Sequence, residues 1–143
     1  MFMGEFHHSL DVKGRIILPS RFRDELKDCV IVTRGLDGCL NVYTQEAWQT
    51  IYEKLLTLPT TNKDARTYVR MMTAKASECS FDSQGRILLP QNLIKDAEIE
   101  KEAVIVGAGN HVEIWAASKW DDFELEGSEN LEEIAERLSG FGI

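Results

Sequence analysis

The sequence contains one motif twice, and this duplication constrains the fold more than any other feature. DVKGRIILPSRF begins at Asp11, and DSQGRILLPQNL begins at Asp82, 71 residues further along, with Asp, Gly, Arg, Ile, Leu and Pro in register. The match continues as CVIVTRG against AVIVGAG and as LNVYTQEAW against VEIWAASKW. Each copy, at roughly 45 residues, is too small to bury a stable core alone. We therefore predict that the two copies pack together as one pseudo-symmetric unit.

Short apolar or alternating runs within each copy are typical of buried and half-buried strands. These runs predict strands at 15–18, 30–32 and 40–43 in the first copy and at 86–89, 104–106 and 112–115 in the second. A helical pattern begins after the last strand of each copy, at Gln45 and at Ser118. The fold class that this implies is α+β and mainly β, with flanking helices.

The segments outside the two copies are predicted to be helical. The Leu58-Pro59 step ends one helix, and Asn62 is placed to cap the next, which runs to Lys75. Near the end of the chain, Asn130 with Glu133 resembles a capping box for a helix that stops at Gly140. The predicted organisation is a first repeat at 1–53, a helical connector at 54–76, a second repeat at 77–123 and an acidic C-terminal helix at 124–143.

The charge of the chain is distributed very unevenly. The 143 residues carry a net charge of −8, which by itself argues against a nucleic-acid partner. Residues 121–143, however, hold eight acidic residues and one basic residue, so this tail accounts for −7. Residues 11–23 hold four basic residues and one acidic residue, a local charge of +3. The sign of the whole chain therefore does not exclude DNA binding by the first repeat.

Other classes are disfavoured by composition and motif. No apolar run approaches the roughly 20 residues that span a bilayer, and no signal peptide is recognisable, so we expect a cytoplasmic protein. The three cysteines form no C-x-x-C pair, which favours reduced thiols over a zinc site. We expect no metal, no cofactor and no small-molecule substrate.

Each repeat carries the motif Asp-x-x-Gly-Arg directly before a strand. Asp11 and Asp82 can accept hydrogen bonds from the backbone two residues on, and Gly14 and Gly85 can adopt positive φ, so the motif predicts a tight turn. The arginine that leaves each turn, Arg15 or Arg86, can bind phosphate or a guanine edge. It can also pair with the aspartate of its own turn, and the two roles are compatible.

These motifs, together with MFMGEF, TRGLDGCL, NKDAR and the closing FGI, resemble the MraZ family, a bacterial branch of the AbrB-like DNA-binding proteins. The resemblance covers essentially the whole chain. It implies that the two repeats form an AbrB-like swapped-hairpin β-barrel and that protomers associate into rings. It also implies a transcriptional regulator that binds direct repeats in the promoter of the division and cell wall gene cluster.

The resemblance assigns the DNA contacts to Arg15 and Arg86, with Lys13 beside the first. Our interpretation is that the arginines read groove edges, while Lys13, Arg21 and Arg23 hold phosphates. Because fewer basic residues surround the second motif, we predict that Arg86 contributes less than Arg15.

Parts of the sequence also suggest two other functions. An enzyme could use His8 with Asp11 as an acid-base pair, but the sequence has no G-x-S-x-G, H-E-x-x-H or P-loop motif to support it. A protein-binding scaffold could instead use the acidic C-terminal helix. Its apolar stripe, Leu131, Ile134 and Leu138, is expected to pack on its own or a neighbouring protomer.

Overall fold

The computed structural model describes residues 1–143. Both copies have the same order of elements, strand–strand–helix–strand–strand–helix. The first copy consists of β1 (Phe2–Ser9), β2 (Arg15–Ile17), α1 (Ser20–Leu26), β3 (Cys29–Arg34), β4 (Leu40–Thr44) and α2 (Gln45–Leu56), and α3 (Lys63–Ala74) follows it. The second copy consists of β5 (Ser77–Ser80), β6 (Arg86–Leu88), α4 (Gln91–Asp96), β7 (Glu102–Gly109), β8 (Val112–Ala116) and α5 (Ala117–Glu129), and α6 (Leu131–Arg137) follows it.

The two copies exchange their first strands. The main sheet has six antiparallel strands in the order β1-β7-β8-β4-β3-β5, so β1 of the first copy pairs with β7 of the second and β5 pairs with β3. A separate two-stranded ribbon is formed by β2 and β6. The mixed, mainly β fold predicted from the sequence is confirmed. The predicted barrel is not closed, because β1 and β5 are the edges of the main sheet and no strand joins them.

One hydrophobic core is shared by both copies. A single cluster of 21 buried residues combines side chains from β2, α1, β3 and β4 with those of β6, α4, β7 and β8. Ile16 and Ile87, at equivalent positions of the two repeats, are both completely buried. On the first copy, Phe22 of α1 packs edge-on against Phe2 and Phe6 of the exchanged strand. The buried cluster therefore contains side chains of both copies.

The helices follow the sequence prediction only in part. Asn62 caps α3 as predicted, since its side chain accepts a hydrogen bond from the Ala65 amide at 3.0 Å. The capping box at Asn130 is wrong: its side chain makes no capping bond to α6 but donates to the Glu126 carbonyl at the end of α5. The tail is consequently two helices, and α6 ends at Arg137, before Gly140. Leu131 and Leu138 remain exposed, so the apolar stripe is not covered within the chain.

The shared core predicts a large difference between neighbouring residues of β6. Ile87→Ala should lower the free energy of unfolding by about 2–4 kcal/mol, because it leaves a cavity beneath the ribbon. Leu88→Ala is the matched control, since Leu88 points outward on the same strand and is 56% exposed, and should cost less than about 1 kcal/mol. Urea unfolding of the two variants checks this. Equal losses would contradict the assignment of Ile87 to the common core.

Candidate nucleic-acid interface

The two Asp-x-x-Gly-Arg motifs fold into nearly identical turns. In the first, the Asp11 carboxylate accepts hydrogen bonds from the amides of Lys13 and Arg15 at 3.0 and 2.9 Å. In the second, the Asp82 carboxylate accepts from the amides of Gln84 and Arg86, both at 2.9 Å. The glycine of each turn has a φ of 88° or 77°, which other residues rarely adopt. The turn geometry predicted from the motif is therefore present in both repeats.

Each arginine is paired with the aspartate of its own turn. Arg15 Nε lies 2.5 Å from Asp11 Oδ2, and Arg86 Nε lies 2.7 Å from Asp82 Oδ2. Arg86 Nη1 also lies 3.7 Å from Asp11 Oδ2, so the two pairs are joined across the repeats. About a quarter to a third of each arginine side chain remains exposed. The aspartates orient the arginines without enclosing them.

Both aspartates are held in the charged form. The hydrogen bond from the Arg15 amide, with those from the Arg15 side chain and the Lys13 amide, lowers the pKa of Asp11 to about 2. The corresponding bonds from Arg86 and Gln84 lower the pKa of Asp82. The two ion pairs are therefore complete at neutral pH, and the four charged groups sum to zero.

The ribbon of β2 and β6 carries both arginines on one face. Its register places Arg15 opposite Leu88 and Ile17 opposite Arg86. Since side chains alternate along a strand, the buried Ile16 and Ile87 point into the core and the other four residues point away from it. The outer face of the ribbon is thus a small surface of two arginines and two exposed apolar side chains, Ile17 and Leu88.

Each turn is held in place by the other repeat. The Leu18 amide donates to the Gly85 carbonyl at 3.2 Å, and the equivalent Leu89 amide donates to the Gly14 carbonyl at 3.0 Å. A Cβ at Gly85 would collide with the guanidinium of Arg23. Arg23 itself donates from Nη1 to the Leu18 carbonyl at 2.6 Å.

The position of Arg23 was missed by sequence reasoning. The linear sequence assigns Arg23 to the neighbourhood of the first turn, whereas the folded chain places its charge beside the second. No local signal could reveal this, because it follows from the packing of α1 against the other repeat.

Lys13 and Arg21 are exposed, as a phosphate contact requires. Lys13 borders a depression of about 430 Å³ whose other lining residues belong to the second repeat.

His8 is not paired with Asp11. The Asp11 carboxylate instead accepts hydrogen bonds from the Lys13 amide and from the amide and side chain of Arg15. No group of three or more His, Cys, Asp or Glu residues is arranged to hold a metal ion. None of the helices has the length and apolar character that crossing a bilayer requires.

Burial raises the pKa of Cys39 to about 12, and it also raises the pKa values of Cys29 and Cys79. These thiols are therefore poor ligands and poor nucleophiles at neutral pH.

The fold and the paired turns define a class of duplicated α+β proteins in which each repeat contributes one Asp-Arg turn to a shared ribbon. A family model described as "MraZ protein, putative antitoxin-like" matches residues 1–71 and again residues 72–142. The chain belongs to the MraZ family.

Relatives match over the full length of both chains. A protein of Pediococcus pentosaceus is 52% identical over 143 residues, and proteins of Ligilactobacillus salivarius and Halothermothrix orenii are each 48% identical over 143 residues. All three are named transcriptional regulator MraZ. These names describe a regulator of transcription and not an enzyme.

The Asp11 pair predicts a specific acid dependence of stability. The pKa of Asp11 falls from an ordinary 3.8 to about 2 on folding, so its contribution is complete above pH 3.8 and is lost as the pH falls through 2. Asp11→Asn should therefore be less stable than wild type at pH 7 and equal to it near pH 2. Urea unfolding across this range checks the prediction. Asp24→Asn on α1 is the control. The prediction would be contradicted if the free energy of unfolding of Asp11→Asn differed from that of wild type by the same amount at every pH.

Proposed function

We propose that this protein is a sequence-specific DNA-binding transcriptional regulator whose contact surface is the ribbon of β2 and β6 with its two turns. One observation carries the proposal: two arginines from different repeats lie on one exposed face, each oriented by a charged aspartate. A guanidinium held in this way presents its free N–H groups in a fixed direction, which suits recognition of a guanine edge or a phosphate. The names of the relatives support the same function.

The size of the ribbon supports contact with a groove. Two antiparallel strands of three residues span roughly 10 Å along the chain, and the major groove of B-DNA is about 12 Å wide and admits a two-stranded ribbon. Arg15 and Arg86 would then read base edges. Ile17 and Leu88 lie on the same face and would contact thymine methyl groups.

A second set of basic residues would supply affinity. Lys13 is at the tip of the first turn, and Arg21 is on the exposed side of α1. We propose that these two bind phosphates directly. Arg23 would be the third basic residue of this set. Its guanidinium lies against Gly85, so its positive charge is beside the second turn. Phosphate contacts position a protein on DNA, whereas base contacts make it selective.

We further propose the target and assembly that the family resemblance implies. The protein would bind direct repeats in the promoter of the division and cell wall gene cluster, as a ring of protomers associated with the nucleoid in the cytoplasm. In this proposal the exchanged first strands and the ribbon form the swapped-hairpin arrangement of AbrB-like proteins. One ribbon is a small contact, and repeated contacts at fixed spacing would raise the overall affinity through effective concentration.

The arginines are tested by alanine substitution on DNA sequences selected by the purified protein from a random pool. Arg15→Ala should weaken binding by about tenfold or more, because a bidentate base contact contributes roughly 1–3 kcal/mol. Arg86→Ala should cost less, since Arg86 is shared between two carboxylates. Lys63→Ala, at the exposed first position of α3, is the control. Undiminished binding by Arg15→Ala in an electrophoretic shift assay would overturn the proposed function.

The phosphate contact is tested by a substitution that makes the first turn resemble the second. Lys13→Gln places at the first tip the residue that occupies the equivalent position 84. Affinity should fall by a similar factor for all DNA sequences, and the slope of log K against log salt should become shallower by about 0.9 for each protomer in contact. A changed sequence preference with an unchanged slope would mean that Lys13 reads bases instead.

A further inference from the structure

The tip of the first turn carries an apolar side chain that contributes nothing to the core. Val12 follows Asp11 in this turn, which is closed by a hydrogen bond from the Gly14 amide to the Asp11 carbonyl at 3.0 Å. The Val12 side chain is fully exposed. It belongs to neither cluster of buried apolar residues and is not among the side chains packed against them. Burial within the chain therefore does not account for a valine at this position.

The backbone of the turn does not account for the valine either. The equivalent residue of the second turn is Ser83, and that turn is closed by the same bond, from the Gly85 amide to the Asp82 carbonyl at 3.0 Å. Serine is among the residues that turns favour, and valine is not. Since both residues occupy the same kind of turn, the valine is suited to a contact outside the chain.

Val12 lies at the more apolar end of the β2–β6 ribbon. The two turns are at opposite ends of the ribbon, because its strands are antiparallel and each turn precedes its own strand. Leu88 is at the end beside the first turn, opposite Arg15. It is more exposed than Ile17, its counterpart at the other end. The first end therefore presents two well-exposed apolar side chains, Val12 and Leu88, and the second presents Ile17 beside a polar tip.

The chemistry of the major groove limits what such a side chain can recognise. Valine makes no side-chain hydrogen bond, so it cannot distinguish the donors and acceptors of the base edges. The C5 methyl of thymine is the apolar group that the base edges present in this groove, and apolar side chains contact it. Lys13, the next residue, takes part in no ion pair of the chain. Its ammonium would bind the adjacent phosphate while Val12 faces a base edge.

We infer that Val12 is a specificity-determining residue that contacts a thymine methyl group at the first-turn end of the DNA site. The inference rests on the proposed function and goes beyond it, because it gives each protomer a direction on the DNA. Ser83 lacks the methyl groups of Val12, so the second turn does not make the equivalent contact. One protomer therefore reads an asymmetric sequence, with one thymine contact more at the first-turn end than at the second.

Selection of bound DNA from a random pool by variants of the full-length protein tests this contact. Val12→Ser gives the first turn the tip residue of the second turn. It should lose the preference for thymine at one position and leave the rest of the selected sequence unchanged. Val12→Thr is the matched control. Threonine keeps one of the two methyl groups, and threonine methyl groups also contact thymine, so this variant should select the wild-type sequence.

Deoxyuridine isolates the contribution of the methyl group, because it lacks only the C5 methyl of thymidine. At the position that the selection identifies, deoxyuridine should weaken binding by wild type about fourfold per contacted site, as expected when one methyl-sized group leaves an apolar contact. Val12→Ser should bind the thymidine and deoxyuridine forms equally. Deoxyuridine at another thymine of the selected sequence is the control, and it should affect wild type and Val12→Ser alike.

The second turn offers the reciprocal experiment. Ser83→Val should add a preference for thymine at the opposite end of the selected sequence, because the two turns share one backbone geometry. The inference is wrong if Val12→Ser selects the wild-type sequence, if deoxyuridine weakens binding by wild type and Val12→Ser equally, or if Ser83→Val adds no preference. In each of these outcomes wild type still selects DNA, so the proposed function stands. If wild type itself enriches no sequence, both are overturned.

Discussion

The pairing of β2 with β6 is the interaction on which the rest of the structure depends. Three residues from each repeat form the ribbon, and two reciprocal hydrogen bonds, from Leu18 to Gly85 and from Leu89 to Gly14, extend it to the turns. The inward side of the ribbon supplies Ile16 and Ile87 to the common core. The outward side presents the arginines. Because one set of backbone bonds serves both faces, core stability and the geometry of the candidate site are coupled, and neither repeat can form the site alone.

Local features of the sequence predicted local structure well. The Asp-x-x-Gly-Arg turns, the apolar strands that follow them and the Asn62 cap are all present, because each depends on bonds within a few residues. The strands β1 and β5 and the helices α1 and α4 were not predicted. The helices have seven and six residues, too few to display a helical period, and β1 is largely polar because one side of it faces solvent.

Features that depend on contacts between the repeats could not be read from the sequence. The exchange of β1 and β5, the shared carboxylate of Asp11 and the position of Arg23 beside Gly85 all connect residues at least 45 positions apart. The error at Asn130 has a different origin. Its side chain can cap a helix start or bond back to the preceding helix, and the continuation of α5 to Glu129 favours the second. Local sequence contains both options, and the helix that precedes the residue decides between them.

The divergence of the two repeats is as informative as their similarity. Both turns keep the residues that build the backbone, while the tips differ: Val12 and Lys13 in the first, Ser83 and Gln84 in the second. Since each arginine is neutralised by its aspartate, long-range attraction to DNA must come from residues outside the ion pairs, and these lie mainly in the first repeat. The helices that follow the two repeats also differ in charge: residues 45–75 carry a net charge of +2, and residues 117–143 carry a net charge of −6. The two repeats therefore share the backbone of their turns and differ in the charge that surrounds them.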